Sequence, residues 1–142
     1  MDEIIETWTS IIEKYSQAKN DTLPYEELVV FRVFSFICDV EMNGVSGALY
    51  NSSPKSGTNQ YQWTNLHLTA EALVTIGDAE TAQLLTETAT VFESLSNLSL
   101  RTWGEYMEAA ETKLSDDIWD TIDARIQKIY DFLEVYTREH LL

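Results

Sequence analysis

The sequence predicts an all-α protein, a single-domain bundle of about six or seven helices over residues 1–142. Apolar side chains recur at three- and four-residue spacing from Ile4 to Tyr136, which is the period of one helix face. Turn-forming residues divide this pattern into segments of ordinary helical length. The most apolar segment, residues 24–42, is longer than most strands and has no second strand to pair with.

The first helix is predicted to be amphipathic. Its apolar residues between Ile4 and Tyr15 fall on one face, and the acids Asp2, Glu6 and Glu13 fall on the opposite face. The polar residues 20–22 then break the helical pattern.

The second helix is predicted over residues 24–42, because Pro24 suits a first helical turn. It is apolar on most sides, so we expect it in the centre of the bundle. Arg32 lies within it and is expected either to extend its charge to solvent or to pair with a buried carboxylate. Asn43-Gly44 is predicted to end the helix, since both residues tolerate left-handed backbone.

A short piece over residues 45–50 is followed by a polar, turn-rich stretch over residues 51–64. A loop of this length is usually functional or mobile. Trp63 is the one tryptophan outside the apolar pattern, so we predict an exposed contact for it.

The helical pattern resumes at Leu66, and Gly77 is predicted to end that helix with Asp78 capping the next one. Ser99 and Ser115 are predicted to cap the last two helices.

Charge sets limits on the partners. The chain has 24 acidic and 9 basic residues, a formal net charge of −15. This excludes direct binding to a nucleic-acid backbone, disfavours anionic membranes and favours a basic protein partner. The amino terminus shows no secretory signal and no apolar run is long enough to span a membrane, so we expect a cytoplasmic protein. The single cysteine, Cys38, allows no internal disulfide.

The residues show no arrangement typical of an enzyme. The two histidines, His67 and His140, are not part of an H-E-x-x-H pair, and a lone cysteine excludes a cysteine-rich zinc site. Gly-rich phosphate loops are absent, and the acids of residues 116–123 lack the pattern of a calcium loop. We therefore expect a non-enzymatic protein with no catalytic residue, cofactor or metal.

The final predicted helix carries a stripe of acids opposite its apolar face. The stripe runs from Asp116 to Glu134, about 27 Å at 1.5 Å per residue. One DNA strand carries a charge per ~3.4 Å, so five acids match DNA in sign and linearity but not in density. The alternative is an ordinary solvated helix face. The predicted partner-binding residues are the five acids of the stripe and three from the first helix, which would fill in the pattern: Asp116, Asp120, Asp123, Asp131, Glu134, Asp2, Glu6 and Glu13.

Three segments carry a family resemblance: EMNGVSGALYNSS at 41–53, LTAEALVTIGDA at 68–79 and YTREH at 136–140. They resemble the DNA-mimic-protein-nineteen-like family, a bacterial helical family of unknown function. Val45 and Ala48 depart from the family pattern, which has glycine and glutamine there. We expect the motif residues to cap and brace a buried turn. They are Glu41, Asn43, Gly44, Asn51 and Ser52.

The resemblance implies an all-α homodimer whose acidic surface occupies the DNA site of a transcription factor. The first hypothesis is therefore a non-enzymatic DNA mimic that sequesters a basic DNA-binding protein. The second is an immunity or antitoxin protein that blocks a basic nuclease toxin. The third is an acidic helical domain whose charge has no role in binding. The residues leave these alternatives open.

Overall fold

The computed structural model describes residues 2–17, 23–55, 61–96 and 98–142, with only the backbone described for Asp2 and Gln17. These residues form helices and, apart from one isolated antiparallel bridge between Lys55 and Tyr61, no extended pairing. The predicted all-α bundle is confirmed. The described helices are α1 (Asp2–Gln17), α2 (Tyr25–Asn51), α3 (Thr64–Ile76), α4 (Ala79–Leu95), α5 (Trp103–Glu111), α6 (Ile118–Ala124) and α7 (Ile126–His140).

Helix α2 lies at the centre of the bundle, as its apolar composition predicts. It contacts α1, α3, α6 and α7, and Val30, Val33 and Ile37 have no exposed surface. Fully burying such side chains contributes about 1.5–3 kcal/mol each, so α2 anchors the surrounding helices. Within the described part of the chain, no helix is both long and apolar enough to cross a membrane.

Helices α3 and α4 form a hairpin whose turn was predicted correctly. Gly77 ends α3 with a left-handed φ of 102°. The Asp78 side chain then accepts a hydrogen bond from the backbone N–H of Thr81 at 3.2 Å and caps α4. The cap satisfies one of the unpaired donors at the helix start.

The predicted break at Gly44 is confirmed, although helical backbone continues on both sides of it. Gly44 has φ 76° and ψ 172° inside α2, a combination that only glycine adopts readily. The chain therefore changes direction within α2 and runs on to Asn51.

Replacing Gly44 by alanine is expected to lower the free energy of unfolding by about 1–3 kcal/mol, because a Cβ is strained at this φ and ψ. Space is not the cause, since an added Cβ would meet nothing within 4 Å. The matched control is Gly104→Ala in α5, where the nearest atom is 3.9 Å away and alanine should stabilise by about 0.5 kcal/mol. Urea denaturation followed by circular dichroism measures both. Equal effects of the two substitutions would contradict a conformational requirement at Gly44.

Trp63 was predicted to be exposed, and this prediction is wrong. Its side chain is only 6% exposed, stacks on Phe92 with ring centroids 4.8 Å apart, and donates from Nε1 to Ser96 Oγ at 3.0 Å. The described ends of the 51–64 stretch thus return a large aromatic side chain to the core, because burial of its ring outweighs the polar composition of the neighbouring residues.

Two predicted caps are also wrong. Helix α5 begins at Trp103, and Thr102 instead of Ser99 caps it by accepting from the backbone N–H of Glu105 at 3.2 Å. The next helix is preceded by Asp117 instead of Ser115, with no side-chain cap. Several serine, threonine and aspartate residues near each helix start have side chains that can cap a helix, so residue type alone does not identify the cap.

The final helix was predicted as one element, but the helical hydrogen bonding is interrupted at Arg125. The Arg125 guanidinium donates to Asp78 and to Glu80, each at 2.6 Å, and its Nε donates to Thr81 Oγ1 at 3.0 Å. These contacts tie the junction of α6 and α7 to the start of α4.

Candidate functional site

The predicted acid stripe is divided by the α6–α7 junction. Asp116 lies in the turn before α6, Asp120 and Asp123 lie on α6, and all three are exposed. Asp131 is exposed and Glu134 half-buried on α7. The stripe is therefore carried by three pieces of chain and not by one continuous helix.

The α7 part of the stripe is nearly neutral. Lys128 and Arg138 offset two of the three acids of α7. Arg138 lies 3.9 Å from Glu134, and Asp131 accepts from the side-chain amide of Gln127 at 3.1 Å. Asp131 and Glu134 thus have local partners, whereas no described side chain forms a hydrogen bond or ion pair with the carboxylates of Asp120 and Asp123 on α6.

The structure does not bring the α1 acids to this part of the stripe. Glu6 and Glu13 are exposed, and the side chain of Asp2 lies outside the described residues. Glu6 lines a shallow depression with Glu27 and Leu142, whereas Ile5 lines the groove that contains Asp131 and Glu134. Glu6 and the α7 acids of the stripe therefore line different depressions.

Helix α5 supplies acids that sequence analysis missed. Glu105, Glu108 and Glu111 are all exposed and recur at the i, i+3 spacing of one helix face, opposite the buried Tyr106 and Ala110. This spacing was visible in the sequence.

The acids of α5 continue into those around α6. Glu111 and Asp116 line one small depression together with Trp119. Between residues 105 and 123 the only basic residue is Lys113, so the segment has a net charge of −6. We call the seven exposed acids of this segment the acidic face: Glu105, Glu108, Glu111, Asp116, Asp117, Asp120 and Asp123.

The motif residues brace the kink at Gly44 through an acid that sequence analysis did not single out. Asp39 Oδ1 accepts from the side-chain amides of Asn43 at 2.7 Å and Asn51 at 2.9 Å. These bonds join the two sides of the kink, which supports the predicted bracing role. Asn43 and Asn51 are exposed, so the prediction of a buried turn is wrong.

The other motif residues also have structural contacts. Glu41 is exposed and accepts a hydrogen bond from the Tyr130 hydroxyl, which joins α2 to α7. The backbone N–H of Ser52 donates to the carbonyl of Ala48 at 3.0 Å and closes the last turn of α2.

A polar pocket of about 400 Å³ lies beside the motif, between α2 and α3. Arg32, Asp39, Asn51 and Asn65 line it. Arg32 was expected to extend to solvent or pair with a buried carboxylate. It is half-buried, and among the described residues it forms no hydrogen bond or ion pair, so the second of these alternatives, a buried carboxylate partner, is not found there.

A comparison with protein families matches residues 21–141 to the family described as DMP19-like protein. The chain belongs to this family. Searches of curated proteins and of solved structures gave no significant match.

The DMP19-like match separates the two sets of predicted acids. The acidic face, the motif and the polar pocket's α2 and α3 residues all lie inside residues 21–141, whereas α1 with Glu6 and Glu13 precedes them. The resemblance found in the sequence is thereby confirmed over a longer stretch than the motifs alone cover.

The titratable groups of the DMP19-like fold show no activated nucleophile at Cys38. Burial raises the pKa of the Cys38 thiol, and the neighbouring carboxylates Glu41 and Asp39 raise it further. The thiol therefore stays protonated at neutral pH, and it is the thiolate that reacts. Burial likewise raises the pKa of Tyr130, as does its bond to Glu41. Among the described residues, no group of three or more metal-ligating side chains comes together.

Proposed function

We propose that this DMP19-like protein is a non-enzymatic acidic binding protein. In this proposal it is a DNA mimic that occupies the DNA-binding surface of a basic transcription factor or nucleoid protein. The observation that supports it best is the acidic face, seven exposed acids that only Lys113 opposes within residues 105–123. Such a surface attracts a basic partner at long range.

The arrangement of these acids is unusual for a helix that is merely solvated. Exposed helices commonly interleave both signs, because like charges at i, i+3 and i, i+4 destabilise the helix by a few tenths of a kcal/mol per pair. Here Glu105, Glu108 and Glu111 follow one another without a basic residue between them. A surface that repeats this cost is consistent with selection for binding.

The charge density of the α5 part of the acidic face is closer to that of DNA than is the charge density of the predicted 116–134 stripe. Acids at i, i+3, as on α5, are about 4.5 Å apart along a helix, whereas the five acids of the stripe, with four gaps over about 27 Å, are about 6.8 Å apart on average. One DNA strand carries a charge per ~3.4 Å. In the proposal the protein is a homodimer, so that a second copy adds its own acidic face, and it contacts neither nucleic acid nor a membrane directly.

The proposal is tested by capture of the partner. Immobilised protein is exposed to lysate of its source at low salt and eluted with a salt gradient, and the eluted protein is assayed for DNA binding. We expect a DNA-binding protein that elutes as salt rises, because the Debye length falls from ~30 Å at 0.01 M to ~8 Å at 0.15 M. DNA should compete with the captured complex.

Two outcomes would contradict DNA mimicry. A partner that binds DNA and this protein at the same time would show that the acidic surface does not occupy the DNA site. Recovery of a nuclease whose activity is blocked would indicate the immunity function instead.

A further inference from the structure

We propose that the polar pocket beside the motif binds a free α-amino acid with an apolar side chain. Arg32 would hold the carboxylate and Asp39 the ammonium group. The proposal does not depend on DNA mimicry, because the pocket and the acidic face are formed by different helices.

Arg32 is the first reason. It is a half-buried cation on the central helix α2, with no hydrogen bond or ion pair among the described residues. A charge taken partly out of water without a partner is unfavourable. A ligand carboxylate would supply the missing partner, since the planar guanidinium can donate two parallel hydrogen bonds to it.

Asp39 supplies the second charge. It lies seven residues after Arg32 on α2, two helical turns or about 10.5 Å further along the same face. Its Oδ1 accepts from Asn43 and Asn51, and no described residue donates to its Oδ2. Two amides thus hold the carboxylate in place while one oxygen stays available for an ammonium group in the pocket.

The walls of the pocket fit the rest of an amino acid. The polar residues Ser35, Asn65 and Thr69 line it, as do apolar residues. A volume of about 400 Å³ lies within the range of small-molecule sites. Phe31 in the wall stacks on Tyr15 with ring centroids 3.8 Å apart. The apolar side chains are those of Leu28, Phe31, Phe36 and Leu68.

The net charge of the protein favours a zwitterion over other ligands that Arg32 could hold. At −15 the protein repels phosphates and dicarboxylates. A zwitterion has no net charge to be repelled, and its ammonium group gains from the nearby Asp39. The net charge therefore disfavours multiply charged anions, and Asp39 in the same pocket as Arg32 favours a small molecule with paired charges.

Isothermal titration calorimetry with four compounds tests the chemical class of the ligand. They are L-leucine, 4-methylpentanoate (leucine without its amino group) and 3-methylbutylamine (leucine without its carboxylate), with L-phenylalanine as a second amino acid. We expect both L-leucine and L-phenylalanine to bind, and both truncated probes to bind at least tenfold more weakly than L-leucine. No binding of either amino acid would overturn the proposal. Equal binding of 4-methylpentanoate and L-leucine would also overturn it, because Asp39 would then have no role.

Variants test the two residues. Asp39→Asn keeps an oxygen that can accept from Asn43 and Asn51 but removes the charge, and Arg32→Lys keeps the charge but removes the planar fork. Each should weaken amino-acid binding at least tenfold, whereas Arg101→Gln, an exposed arginine outside the pocket, should leave it unchanged. Circular dichroism establishes that each variant is folded. Unchanged affinity in a folded Asp39→Asn or Arg32→Lys protein would overturn the assignment.

Discussion

Replacing Arg125 by methionine is expected to lower the free energy of unfolding by about 3–5 kcal/mol, the cost of removing one member of a buried ion pair. The Asp78 side chain is completely buried and Arg125 is 12% exposed. Without the guanidinium, Asp78 would keep a buried charge with no cation opposite it. Methionine retains much of the apolar volume, so the loss reports the charge more than a cavity. Urea denaturation measures the effect.

Two further variants serve as controls for this experiment. Arg138→Met removes an exposed arginine whose nearest carboxylate is 3.9 Å away, and should change stability by less than about 0.5 kcal/mol. In the double variant Arg125→Met with Asp78→Asn, the asparagine can still accept from Thr81 and cap α4, and no charge is left buried. It should be more stable than Arg125→Met alone. A loss below about 1 kcal/mol in Arg125→Met would contradict a structural role for the pair, since buried pairs are worth more than surface ones.

Arg125 also shows where sequence analysis of this fold reaches its limit. The local signals were sufficient for Gly77, Asp78 and Gly44, because a left-handed glycine or an N-cap acts within a few residues of itself. At the α6–α7 junction, Arg125 bonds to an acid 47 residues away in sequence, and no periodicity reveals such a contact. Trp63 is a similar case, because its partner Phe92 lies on another helix.

Only part of the candidate site was predicted, because the rest of it also depends on contacts between residues distant in sequence. The acids of α6 were predicted from helical spacing, but the prediction of the stripe assumed that one helix continues unbroken to Glu134. The i, i+3 spacing of the α5 acids is visible in the sequence, but only the burial of Tyr106 and Ala110 shows that these acids share an exposed side. Asp39 could not be recognised, because its role depends on amides at both ends of the Gly44 kink.

Neutralising the acidic face is expected to slow association with a basic partner by about 10- to 1,000-fold at low salt, the range of electrostatic steering. The variant changes Glu105, Glu108 and Glu111 to glutamine and Asp116, Asp120 and Asp123 to asparagine. It should fold as well as the parent protein or slightly better, because repulsion between like charges is removed. Stopped-flow mixing with the captured partner across a salt series measures the rate.

The control variant has the same net charge but neutralises acids at other positions. It neutralises six other acids, which include the remaining described residues of the predicted stripe and its α1 extension: Glu6, Glu13, Glu71, Glu87, Asp131 and Glu134. Both variants have a formal net charge of −9, six less negative than the parent's −15. Any difference between them therefore reports where the charges lie and not how many there are.

The comparison decides between three origins of binding. If the acidic face contacts the partner, neutralising it should reduce both the association rate and the salt dependence of that rate. The control variant should then change much less. Equal losses would show that the partner responds to net charge alone, since steering acts through the summed field. A larger loss in the control would place the contact among its six acids, which include the predicted α1 and α7 residues, and would exclude the acidic face as the mimic of DNA.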